Sequence, residues 1–184
     1  MRKHRGFTLI ELVMVMVIIC VLSTTGAFLM VFLVENAVFV PNKLNVEMAG
    51  RDILETIIEG ASAAKGLRFT YNMTAANSTN VKFVNSDGQV VEFMFNNSTK
   101  RMTLAINNGT QSTFPAYFSS GMYVEQNGAI PVFSHYDANE TSTLIPGAVR
   151  RVKVEMRLRS GSGSFSDWQN QLNCASSIAV SKYQ

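Results

Sequence analysis

Hydrophobic positions change their spacing twice along this chain of 184 residues, and each change marks an element. From Leu12 to Leu22 every residue is apolar; Ser23-Thr24-Thr25-Gly26 interrupts the run, and Ala27 to Val34 completes it. As a helix, residues 12–34 would extend about 34 Å, enough to cross a hydrocarbon core of roughly 30 Å. Beyond that run Val40, Leu44, Met48, Leu54, Ile57, Ile58, Ala61 and Ala64 recur mostly three or four apart, the period of an amphipathic helix. Gly66 is its predicted stop. A helix from Phe7 to Lys65 would be ~90 Å long, bent near Pro41, where one backbone donor is missing and the ring meets the preceding turn. Gly26 and Gly50 are further weak points.

After Gly66 the period becomes two. Leu67–Tyr71, Val81–Val84, Gln89–Phe95 and Met102–Ile106 alternate, and turn sequences separate them: Asn85-Ser86-Asp87-Gly88, Asn96 to Lys100, and Asn107-Asn108-Gly109. Asp-Gly and Asn-Gly between alternating runs are strong hairpin signals, so an antiparallel meander is expected here. Tyr117–Val124 and Pro131–Tyr136 add short strands. In Val149–Arg159 the residues Val152, Val154, Met156 and Leu158 face one way, and Ile178–Val180 forms a last strand. The helix face carrying Leu54, Ile57 and Ile58 needs a cover, which a sheet with one apolar face supplies. The predicted class is α+β: residues 7–34 a membrane-spanning helix, 35–66 its amphipathic continuation, and 67–184 an antiparallel β domain outside the membrane.

The pI of about 9.0 suggests a basic protein, but Arg2, Lys3 and Arg5 all precede Gly6. Without them the 16 Lys and Arg fall to 13, level with the 13 Asp and Glu. An acidic-surface or nucleic-acid function therefore gains nothing from net charge. The same three residues hold the short N-terminal end in the cytoplasm and send the rest outside. Cys20 sits in the apolar run and Cys174 near the C-terminus, a pair that forms neither a disulfide framework nor a metal site.

One carboxylate stands out. Glu11 lies just inside the apolar run, and the next charged residue along the helix is Glu35. A charge at the centre of a bilayer helix costs roughly 2.5–3.5 kcal/mol on insertion scales, so such a group calls for a partner. A cut after Gly6 would create one, the new amine of Phe7 on a neighbouring chain.

Arg2-Lys3-His4-Arg5 followed by Gly6-Phe7-Thr8-Leu9-Ile10-Glu11-Leu12 resembles the processing site of type IV prepilins and of the pseudopilins of type II secretion systems. The resemblance implies that a prepilin peptidase removes residues 1–6 by cutting after Gly6 and methylates Phe7, and that Glu11 directs packing into a filament. It further implies a bacterial inner-membrane protein, extracted by an inner-membrane assembly platform into a pilus or a periplasmic pseudopilus among other pilin or pseudopilin subunits. The region from Ile53-Leu54 through Gly66-Leu67-Arg68 and the meander is similar to larger minor pseudopilins of the J type and minor pilins of the W type. The C-terminal cysteine pair of many major pilins is missing here, which favours a minor component. A conventional signal peptide cut after Ala27 is the rival reading; Glu11 and the continued apolar run Phe28–Val34 argue against it.

No catalytic constellation is present. His4 belongs to the leader, which leaves His135 without a second imidazole, and Ser160 to Ser164 is a flexible Gly/Ser loop rather than a nucleophile elbow. No enzymatic activity, cofactor or metal is expected; Asp137, Asn139 and Glu140 are read as a solvated loop in preference to a calcium site. The row Arg151, Lys153, Arg157 and Arg159 is read first as the wet side of a strand that protects an edge, and only second as a contact for nucleic acid, such as a DNA-binding minor pilin would need. Phe165 and Trp168, aromatic residues in a Gly/Ser-rich loop, are candidates for contact with a partner subunit.

Overall fold

A computed structural model describes residues 8–115, 122–160 and 170–180. The chain divides into two units, Met1–Pro41 and Asn42–Gln184. One helix, α1 (Leu9–Ile58), runs through Pro41 without interruption.

In the first unit every described side chain from Thr8 to Val34 is exposed. The window Leu9–Val34 has a mean hydropathy of 2.6 over 26 residues, long enough at 1.5 Å per residue to cross a bilayer. Two hydroxyls of its polar interruption bond back to the helix. Thr24 Oγ1 donates to the carbonyls of Cys20 and Val21, each at 2.9 Å, and Thr25 Oγ1 to that of Val21 at 2.8 Å. These bonds let hydroxyls sit in an apolar helix without an orphaned donor.

In the second unit the buried stripe of α1 is Val46, Ala49, Gly50, Ile53 and Ile57. This corrects the face expected from the sequence: Leu44 and Met48 are exposed, and Leu54 and Ile58 are only half-buried. Small residues mark the true face because they let the helix approach the sheet closely. The helix also ends at Ile58, short of Lys65 and of the expected 35–66 segment. Gly60, at φ +107, turns the chain out of the helix. Short strands β1 (Gly60–Ala61) and β2 (Ala64–Lys65) then pair antiparallel. Gly66 is not the stop. It lies against the last helical turn, donating to Glu59 O at 2.9 Å, and a Cβ there would stand 2.6 and 2.7 Å from the carbonyl oxygens of Ile58 and Ile57.

Two antiparallel sheets complete the unit where one sheet, a meander followed by later strands, was expected. The first is the meander itself: β3 (Thr70–Ala76), β4 (Asn80–Asn85), β5 (Val90–Asn96), β6 (Arg101–Ile106) and β7 (Ser112–Phe114), in that order. Residues 67–69 form a 3-10 turn, so the first long strand starts at Thr70 rather than Leu67. At the β4–β5 turn Asn85 Oδ1 accepts from the backbone N–H of Asp87 and Gln89, and Gly88 takes φ +76. The second sheet has the order β11–β10–β8, with β9 also paired to β10: β8 (Tyr123–Glu125), β9 (Phe133–Tyr136), β10 (Arg151–Ser160) and β11 (Asn170–Ala179). Backbone bonds from Val124 to Lys100 and from Phe133 to Ser78 tie the two sheets together. Phe83, Phe93, Met102, Phe133, Met156 and Leu158 fill the core with the helix stripe.

Candidate assembly site

The N-terminal turn of α1 is built by two residues. The backbone N–H of Thr8 donates to Glu11 Oε2 at 2.8 Å, the Thr8 hydroxyl donates to the same oxygen at 2.8 Å, and the Glu11 N–H returns a 3.4 Å bond to Thr8 Oγ1. This is a capping box: the first helical turn has orphan N–H groups, and a Thr-x-x-Glu pair satisfies them reciprocally. Glu11 therefore has a local partner, contrary to the expectation that its own chain supplies none. Thr8 is the residue the sequence reading missed, although the Thr-x-x-Glu spacing signals it. Both Thr8 bonds land on Oε2, and the negative carboxylate sits at the helix end where the macrodipole favours an anion.

Gly6 and Phe7, the expected cleavage point and new terminus, lie outside the described residues, as do Phe165 and Trp168.

The structure brings the basic row together with acids and amides. Arg151 pairs with Glu140 and stacks on the Tyr136 ring at 4.4 Å. Lys153 meets Glu155 at 2.6 Å, and Arg159 meets Glu125 at 3.6 Å. Arg157 donates to Asn127 Oδ1 at 2.7 Å and to Asn173 Oδ1 at 3.1 Å, while Asn127 donates to Glu155 at 2.9 Å. Hydrogen bonding to Lys153 first and to Asn127 second holds the Glu155 carboxyl below the usual carboxylate range, and bonding to Glu155 raises Lys153. The row is thus one side of a mixed-charge network. Nor does it guard an edge, since β10 is flanked by β11 on one side and by β8 and β9 on the other.

Asp137 Oδ1 accepts from the backbone N–H of Asn139 and Thr141 at 2.8 and 2.9 Å, and Glu140 is turned to Arg151. These carboxylates are occupied in shaping their loop. Among the described residues no group of three or more His, Cys, Asp and Glu gathers in one place. Cys20 and Cys174 are both free. His135 is fully buried on β9, with no hydrogen-bond partner for either ring nitrogen among the described residues, and burial lowers its pKa to about 4.

Residues 1–27 match the family model described as the prokaryotic N-terminal methylation motif. Comparison with curated proteins and with solved structures gave no match. The matched segment contains Gly6, Phe7, Thr8 and Glu11 and the first two-thirds of the apolar run. Motif and apolar helix together support the type IV prepilin and pseudopilin family and point to membrane anchoring.

Proposed function

We propose, starting from an N-terminal methylation motif joined to an apolar helix, that this chain is a prepilin-like subunit that polymerises through that helix, as a minor component of a pilus or secretion pseudopilus. Prepilin peptidase cuts after Gly6 and methylates Phe7. The mature chain, anchored with its β domain outside, leaves the inner membrane through an assembly platform and joins other pilin or pseudopilin subunits.

The observation that carries this reading is the placement of Glu11 at the start of an otherwise apolar span. Thr8 holds Oε2, so the other carboxylate oxygen is the acceptor for the Phe7 amine of an adjacent subunit. Burial of the apolar side chains of residues 7–34 against other helices supplies the strength of the contact, and the charge pair supplies its register. Inside a membrane an unmet charge costs several kcal/mol, so the pair discriminates strongly against misaligned helices.

Intact-mass and N-terminal analysis of the protein purified from its native membrane tests the reading. A methylated terminus at Phe7 is expected. A terminus at Met1 or at Phe28 would overturn it, the latter in favour of a secreted domain.

A further inference from the structure

Lys153, Glu155 and Arg157 share the outer face of β10, because alternate side chains of a strand point the same way. β8 runs antiparallel to β10 with Glu125 opposite Arg157, and the same register carried two residues further sets Asn127 opposite Glu155. The four side chains meet there. Lys153 Nζ lies 2.6 Å from Glu155 Oε2, and Asn127 Nδ2 donates to Glu155 Oε1 at 2.9 Å. Arg157 donates to Asn127 Oδ1 at 2.7 Å and is itself steadied by Asn173 Oδ1 at 3.1 Å. An amine and a carboxamide thus flank one carboxylate that is only 8% exposed, and a cation sits on the carboxamide oxygen.

Each group has the chemistry that acyl transfer from an amide to an amine requires. Asn127 Cγ is the electrophile; the Arg157 guanidinium draws electrons from its carbonyl and would stabilise an oxyanion formed there. Lys153 is the nucleophile. It is the only lysine in a strand whose other cations are arginines, which stay protonated and do not attack carbonyls. Glu155 reaches both nitrogens at hydrogen-bond distance, so it can carry protons from one to the other. A second trio, on the first sheet, lacks two of these features. Asn80 donates to Glu92 at 3.0 Å, but Lys82 stands 3.6 Å from that carboxylate, and the Asn80 oxygen accepts from the neutral amide of Asn77.

We propose that Lys153 and Asn127 join in an isopeptide bond, formed within the folded chain with Glu155 as the proton carrier. The resting pair is ionic: the hydrogen bond between them raises the Lys153 pKa and lowers that of Glu155. Reaction starts when one proton crosses the 2.6 Å contact and leaves a neutral amine. Lys153, whose side chain is 36% exposed, then swings on its flexible stem to attack Cγ. The Nζ–Cγ bond forms, the carbonyl oxygen carries its charge against Arg157, and Glu155 passes its proton to Nδ2. The Cγ–Nδ2 bond breaks. The attacking nitrogen gives up its second proton through Glu155 to the departing ammonia, so the products are a secondary amide and an ammonium ion, and Glu155 ends as a carboxylate. No oxidant or other reactant is consumed. The bond ties the end of β8 to β10 across the segment that contains β9, and it restricts the unfolded chain as a disulfide would. It does not depend on processing at Gly6.

The test uses the full chain in detergent micelles, incubated at neutral and at alkaline pH, digested with trypsin and read by mass spectrometry. Trypsin does not cut at a lysine whose amine is acylated, so the link yields a branched peptide joining residues 102–150 to residues 152–157, lighter by one ammonia than its two halves. That peptide should accumulate with time, faster at alkaline pH where more of Lys153 is neutral, with the intact chain still of monomer size. Lys153→Arg and Glu155→Gln should each abolish it while leaving the circular dichroism spectrum unchanged, and Lys82→Arg should leave its yield unaltered. Unlinked peptides alone at both pH values would overturn the proposal. So would conversion of Asn127 to aspartate without the branched peptide, which would make water the attacking group, or an equal yield of the link in Glu155→Gln, which would remove the proton carrier from the reaction.

Discussion

Gly50 of α1 lies directly against Cys174 of β11: a Cβ at position 50 would stand 2.6 Å from the thiol sulfur and 3.1 Å from Leu172 Cδ2. No side chain fits between this turn of the helix and the second sheet. Gly50→Ala sets two effects against each other. Alanine favours the helix by about 1 kcal/mol over glycine, whereas forcing a methyl into a filled core costs roughly 1–3 kcal/mol. Overpacking wins, and we expect a net loss of ~1 kcal/mol, a fall in Tm of about 3 °C for a domain of this size. Gly50→Ala with Cys174→Ala should recover most of it. Thermal melts of the three variants in detergent check this; a more stable single mutant would mean that Cys174 swings aside freely.

That contact also explains what a linear reading gets wrong in α1. Leu44 and Met48 attract attention as large apolar residues at helical spacing, yet the sheet is approached through Ala49 and Gly50. Close approach selects for small side chains, which a hydrophobicity pattern undervalues. Of β11 only the end, expected at Ile178–Val180, was legible, for a related reason: Leu172, Cys174, Ser176 and Ile178 alternate with exposed residues, but two of the four are too weakly apolar to reveal a strand of ten residues. The membrane-length run, the turns Asn85–Gly88 and Asn107–Gly109, and β10 were all legible, because each is encoded by near neighbours. Partition into two sheets, the Lys153–Glu155–Asn127–Arg157 network and the burial of His135 depend on residues far apart in sequence, so only the folded chain reveals them.

The Thr8–Glu11 capping box separates two contributions to the proposed assembly. Glu11→Ala removes the anion and is expected to leave membrane insertion and cleavage intact while abolishing recovery in sheared filaments. Thr8→Val keeps the charge but loses the hydroxyl bond; losing a cap costs ~1 kcal/mol, a factor of about five in an equilibrium. Incorporation of Thr8→Val should therefore fall severalfold without vanishing. Immunoblots of sheared filaments against membranes measure both, and equal incorporation of Glu11→Ala and the native chain would rule out a pairing role.

For the basic row, the partners on the page decide the expectation. Arg151, Lys153 and Arg159 each meet a carboxylate, and Arg157 is held by two asparagines. Nucleic-acid affinity rises with the number of phosphates that basic groups neutralise, and groups already paired contribute little to that number. We expect no salt-dependent shift of double-stranded DNA by the full chain in detergent at low ionic strength. Binding that is lost on charge reversal at Arg157 and Arg159 would restore the row as a DNA contact.

The response to acid should be governed first by His135. Its pKa is lowered from 6.5 to about 4 by burial, so the unfolded chain binds a proton that the folded one resists. Stability is then at its full value above pH 6.5 and falls as the pH drops toward 4, since the unfolded state holds more protons across that window. A shift of this size corresponds to a loss on the order of 3 kcal/mol once both states are protonated. Glu155 acts later and in the same direction: its depressed pKa adds stability above the usual carboxylate value that is lost only on further acidification. His135→Leu should abolish the upper part of the decline and leave the lower part. At pH 7 it should be no less stable than the native chain, because it removes two ring nitrogens that have no hydrogen-bond partner among the described residues. Urea unfolding at a series of pH values between 7 and 4 reads both effects, and an unchanged slope in His135→Leu would show that other groups set the acid limit.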